Sequence, residues 1–119
     1  MDVPIDFVMR SSSAIDPDTL RTYAERRLAF ALRRFENRAR RIVVRLGDIN
    51  GPRGGVDSRC SITLKLRDGG HIETEGVTAW PFASITLAAT RLTETLRREL
   101  EKAHVSGRRR HGRPIDAPA

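Results

Sequence analysis

Apolar and polar residues alternate at the start of the chain. Val3, Ile5, Phe7 and Met9 interleave with Pro4, Asp6 and Val8, which predicts a first strand with one buried face. Ser11-Ser12-Ser13 breaks it. The period then lengthens, and Leu20, Ala24, Leu28, Ala31, Leu32 and Phe35 fall on one face of a helix. Asp16-Pro17-Asp18 starts that helix: Asp16 can cap, Pro17 suits the first helical position, and Asp18 favours the positive end of the helix dipole. Asn37 and the Arg38–Arg41 cluster end it.

Ile42-Val43-Val44-Arg45-Leu46 is short and β-branched, hence a second strand. Asp48 to Asp57 is turn-rich, with Gly51-Pro52-Arg53-Gly54-Gly55 at its centre. That glycine run leads into a strand, so it lacks the helix N-terminus that cradles phosphate and reads as a hairpin loop. Cys60, Ile62, Leu64 and Leu66 alternate with charged and hydroxyl residues, the clearest strand signal in the chain. Asp68-Gly69-Gly70 supplies a turn into a fourth strand of Ile72, Thr74 and Gly76. Trp80-Pro81 opens a second helix with Phe82, Ile85, Ala89, Leu92, Leu96 and Leu100 as its stripe. It reaches about Ala103, where Val105-Ser106-Gly107 breaks it. The expected class is therefore α+β, in the order β-α-β-β-β-α. A four-stranded antiparallel sheet carries both helices on one face, because each strand has one apolar face and each helix one stripe. One folded domain, 1–103, precedes a disordered basic tail, 104–119.

Length agrees with one domain: 119 residues bury a single modest core. No apolar run approaches the ~18 residues of a membrane span, and the start has no basic and apolar leader. One cysteine leaves no internal disulfide and no multi-cysteine zinc site, so a reducing, cytoplasmic setting is expected.

Charge changes the picture more. The net charge is +7, and 20 of the 22 cations are Arg. Residues 21–45 hold nine Arg against Glu25 and Glu36, a local +7; the tail from His104 adds +3, leaving −3 elsewhere. A GC-rich coding bias explains Arg over Lys but not the clustering, which points to a polyanion. At 100° per residue, Arg26, Arg27, Arg33 and Arg34 fall on one flank of helix one with Tyr23 and Phe30. Arg91, Arg98 and Lys102 fall in one line on helix two, at i, i+7 and i+11. The plain alternative is two amphipathic helices with solvated flanks. Two such lines on neighbouring helices can form one patch suited to RNA, since Arg binds phosphate bidentately and stacks on bases. Tyr23 and Phe30, beside an apolar stripe, are expected to pack at the rim of the core.

Catalytic signatures are absent: no P-loop, GxGxxG, HExxH or GxSxG occurs. Cys60 falls on the buried phase of its strand and reads as structural; His71, His104 and His111 are isolated; Trp80 reads as a cap on the core. No catalytic residue, metal site, cofactor or small-molecule substrate is expected, and the chain is read as a non-enzyme.

Element order and several stretches together resemble the ribosome hibernation promoting factor family, which includes ribosome-associated inhibitor A. They are Leu20-Arg21-Thr22-Tyr23, Phe35, Ile42-Val43-Val44-Arg45-Leu46, the Asp57 to Ile62 strand entry, Gly69-Gly70, Glu75-Gly76, and Phe82-Ala83-Ser84-Ile85 leading to Arg91-Leu92. The likeness covers about residues 3–103. It implies a fold similar to double-stranded-RNA-binding domains, seated in the small-subunit channel for mRNA and the A- and P-site tRNAs. There it would block translation and stabilise idle ribosomes under stress or in stationary phase. It implies rRNA contact through Arg21 and Arg27 on helix one and Arg91, Arg98 and Lys102 on helix two. The chain departs from the family pattern at Trp80 and Phe82, at Glu94 in place of a basic residue, and at Leu100. The family's long form adds a C-terminal dimerisation domain for which 119 residues leave no room, so the short form is expected, as a monomer or weak self-associate. The partners implied are the small ribosomal subunit and its rRNA, and no membrane. The other reading is a structured-RNA-binding or regulatory module on the same fold, acting off the ribosome.

Overall fold

A computed structural model of the chain describes residues 2–10, 14–49 and 57–112, with side chains through Lys102. The elements are β1 (Ile5–Arg10), α1 (Pro17–Ala31), a 3-10 turn (Glu36–Arg38), β2 (Ala39–Asp48), β3 (Ser58–Leu66), β4 (His71–Thr78) and α2 (Pro81–Gly112). This is the β-α-β-β-β-α order that the hydrophobic periods predict. The strands lie side by side as β1-β2-β3-β4.

The sheet is mixed, where an antiparallel one was expected. β1 runs parallel to β2, with Ile5 opposite Ile42 and Phe7 opposite Val44. The other two pairings are antiparallel. The reason is connectivity: α1 carries the chain back to the end where β1 began, whereas β2-β3 and β3-β4 are direct hairpins.

Both helices cover one face. Ile42, Val44 and Leu46 of β2 and Cys60, Ile62 and Leu64 of β3 are buried against Leu20, Ala24 and Leu28 of α1 and Ile85, Ala89 and Leu92 of α2. Burial of these side chains is the main favourable term, at roughly 1.5–3 kcal/mol for each large one. The alternate residues Arg41, Arg45, Arg59, Lys65, Glu73 and Glu75 lie exposed on the open face.

Two boundaries differ from the local pattern. α1 stops at Ala31, not Phe35, and β2 begins at Ala39, not Ile42. The ladder with β3 decides this. Ala39 pairs with Leu66 and is itself buried, and a bulge between Ala39 and Arg41 leaves Arg40 exposed. The chain must leave the helix early to reach that pairing, and Leu32 and Phe35 stay buried through the turn. The start of α1 follows its sequence: Pro17 is in its first turn, and the Asp16 carboxylate accepts the Thr19 N–H at 3.1 Å.

α2 continues to Gly112, through the Val105-Ser106-Gly107 segment expected to end it. A lone glycine costs a helix only about 1 kcal/mol, and the arginines that follow are good helix formers. The helix thus includes the backbone of 104–112; residues 113–119 and the Gly51 to Gly55 run lie outside the described residues. α2 rests directly on β4 at Gly76, where an added Cβ would stand 2.5 Å from the Ser84 carbonyl oxygen and 2.8 Å from the Ala88 nitrogen. Ser84, fully buried, donates to the Ser58 carbonyl at 2.8 Å and shares a 2.8 Å hydrogen bond with Thr78. Those bonds fix where α2 starts.

Cys60 is buried, and desolvation pushes its thiol up to about 12. Trp80 is 55% exposed and leans on Phe82, so it does not cap the core as expected. Among the described residues no helix is long and apolar enough to cross a membrane, and no three His, Cys, Asp or Glu side chains group as metal ligands.

Candidate nucleic-acid interface

Burial of Leu20, Ala24 and Leu28 turns one flank of α1 toward α2. That flank carries Tyr23, Arg27 and Phe30. Tyr23 packs as its position suggested: its ring meets Phe82 edge-on at 4.9 Å, and its hydroxyl shares a 2.6 Å hydrogen bond with Thr86. Further along, Thr93 donates to the Ala31 carbonyl at 3.4 Å. The α2 flank facing α1 is thereby marked by Phe82, Thr86, Thr93 and, one turn on, Arg97.

Phe30 breaks the expected pattern. It lies 63% exposed, not at the rim of the core. The Arg27 guanidinium carbon is 5.9 Å from its ring centre and that of Arg33 is 5.1 Å away, both within cation–π range. Phe30 forms one wall of a groove of about 720 Å³ between the end of α1 and the middle of α2. Ala31, Arg33, Arg34, Phe35, Thr93, Arg97 and Leu100 also line it, and Glu101 is its one acid among the described residues. Arg33 and Arg34 belong to the turn after α1, so the early end of the helix aims them here.

The eight cations picked out from the sequence do not share one surface. Arg33 and Arg34 line the groove, and Arg27 stands next to Phe30. Arg21 lies on the other flank of α1, 3.9 Å from Glu25. Arg26 lies beside β1, near Val3 and Ile5. Arg91 donates to the Glu75 carbonyl at 2.8 Å, fastening α2 to β4. Arg98 and Lys102 follow on that same outer flank, Lys102 at 4.0 Å from Glu99, with Glu94 between Arg91 and Arg98 along the helix. The line on α2 therefore faces away from α1. Among the residues whose side chains are described, Arg97, which that line passed over, is the α2 cation that meets α1. Its wheel angle was legible; which side of α2 would meet α1 was not.

Strand alternation divides the +7 segment further. Arg41 and Arg45 extend from the open face of the sheet, opposite α1. Arg41 is neutralised there by Asp6 at 2.7 Å, as Arg59 is by Glu75 at 2.8 Å. Among the described residues, no ion pair involves Arg27, Arg33, Arg34 or Arg97, and the Arg27 Nε is buried without a hydrogen-bond partner. Arg33, Arg34 and Arg97 in the groove, with Arg27 next to Phe30, thus make a cationic edge.

A mixed sheet, a helical layer on one face and an unneutralised arginine groove between the helices define a small basic α+β domain. Residues 16–104 match the family described as sigma 54 modulation protein / S30EA ribosomal protein, and the chain belongs to that family. The resemblance to hibernation factors carried by Leu20 through Leu92 holds. Among solved structures, the chain is similar to the N-terminal domain of Protein Y from Thermus thermophilus, at 26% identity and a TM-score of 0.63, covering 82% of this chain and 98% of that one. It shares its fold with a ribosomal subunit interface protein from Coxiella burnetii, at 16% identity and a TM-score of 0.66, covering 83% and 99%. No curated protein sequence matches it.

Proposed function

We propose that this protein binds the small ribosomal subunit in the channel for mRNA and the A- and P-site tRNAs and blocks translation by occupying it, under stress or in stationary phase. Family membership supports a ribosome-associated role. The observation that carries the reading to RNA is the groove, where Arg33, Arg34 and Arg97, with Arg27 next to Phe30, stand without ion-pair partners among the described residues. The mechanism is steric. Guanidiniums hold phosphates by charge-assisted hydrogen bonds, released counterions make the binding salt-dependent, and a rigid domain fills the path of tRNA and mRNA. No bond is made or broken, and the core thiol of Cys60 takes no part.

Co-sedimentation with ribosomes at graded salt tests this. The protein should pellet with small subunits at low salt and be released steeply as salt rises. Remaining in the supernatant at low salt overturns the reading. Preference for an isolated RNA duplex over ribosomes in competition would move the function to structured RNA off the ribosome.

A further inference from the structure

We infer that the groove between α1 and α2 takes an unpaired nucleobase, stacked on the exposed ring of Phe30 with its flanking phosphates on Arg33, Arg34 and Arg97. This rests on the RNA-binding reading above and names which part of the RNA the groove holds.

Three observations converge. Phe30 stays 63% exposed even with two guanidiniums over its ring at 5.1 and 5.9 Å from the centroid. The groove continues from the ring onto apolar wall at Leu100, which suits a flat, weakly polar body. Its charged lining is cationic save for Glu101, which suits a partner whose flat groups alternate with phosphates. Aromatic rings set in a basic groove stack bases of any identity, because every base has a π-face, while the cations track the backbone. A paired base cannot reach the ring, so the groove selects a bulged, looped or single-stranded nucleotide over plain duplex. An acidic peptide would satisfy the guanidiniums but leave the ring unused and bring carboxylates against Glu101.

A single-tryptophan reporter tests this. Phe30→Trp is made with Trp80→Phe, so the only indole lies in the groove. Single-stranded oligouridylate, a duplex RNA of equal length and polyglutamate are titrated in turn, and ribosome co-sedimentation is run on the same protein. Stacking predicts strong quenching by oligouridylate and little by duplex. Phe30→Leu, harmless to folding at so exposed a site, should weaken oligouridylate binding about tenfold or more while Phe30→Tyr keeps it. Equal quenching by duplex, quenching by polyglutamate alone, or unchanged affinity of Phe30→Leu each overturns the inference. The two readings separate cleanly. Ribosome pelleting without quenching removes only the stacked base, and quenching without pelleting removes only the ribosome.

Discussion

The two broad surfaces of this domain carry similar numbers of arginines and treat them in opposite ways. On the open sheet face, cross-strand acids neutralise two of them: Arg41 meets Asp6 at 2.7 Å and Arg59 meets Glu75 at 2.8 Å. At the interhelical groove, Arg33, Arg34 and Arg97 in its lining and Arg27 next to Phe30 have no ion pair among the described residues, and Phe30 stands exposed among them. Exposed ion pairs add at most about 1 kcal/mol to stability, so the pairs on the sheet matter less for holding the fold than for cancelling its field there. Net charge alone does not distinguish the two surfaces; the share of it that is neutralised does.

Removing the geometry that sets α2 against α1 should produce the largest effect. Gly76→Ala places a methyl group against the α2 backbone at Ser84 and Ala88, where neither side can yield cheaply. A loss of about 3 kcal/mol is expected, read as a lowered midpoint in urea denaturation, with ribosome binding failing alongside. A midpoint near that of the parent would show that α2 can lift off β4 without penalty.

Charge reversal compares the two faces directly. Arg33→Glu, Arg34→Glu and Arg97→Glu together should weaken ribosome co-sedimentation by at least about 100-fold and flatten its salt dependence by about three phosphate contacts. Arg41→Glu with Arg59→Glu should change binding by no more than about threefold, since those charges are already cancelled. Equal losses on both faces would erase the distinction.

Single truncations sharpen it further. Arg91→Ala removes a 2.8 Å bond to β4 and should cost about 1 kcal/mol of stability with little effect on binding. Arg97→Ala should do the reverse, leaving stability within about 0.5 kcal/mol and weakening binding about tenfold. Swapped phenotypes would return the binding role to the outer flank of α2.

The smallest effect concerns the core beneath both faces. Burial raises the Cys60 thiol to about 12, so the nucleophilic thiolate is scarce in the native state at pH 8. A thiol-reactive dye should label it only as fast as the protein unfolds. Because the folded value is the raised one, the stabilising preference for the neutral thiol holds below about pH 9, the unfolded value, and fades as pH climbs toward 12. Rapid labelling in native buffer would place the thiol outside the core.

Much of this was legible locally. Alternation in Cys60 to Leu66 and the stripe from Leu20 to Leu32 each settle an element and its buried face, because periods of two and 3.6 report directly on strand and helix. Asp16-Pro17 marked the start of α1, because capping is decided within one turn. The candidate site was only partly legible. Helical-wheel angles place Arg27 beside Phe30 without help, but not Arg97 beside either.

Charge and hydrophobic period along the chain thus determine an α+β domain of β-α-β-β-β-α order, an excess of arginine and the inward face of every element. Tertiary structure alone decides that β1 is parallel to β2, that α1 yields its last turn to the β2-β3 ladder, and that Arg97 rather than Arg91 meets α1. It also decides that Arg41 is cancelled and Arg33 is not. The reason is the same throughout. A residue's phase within its own element is a local property, whereas its neighbour across the sheet or between helices depends on how distant segments pack.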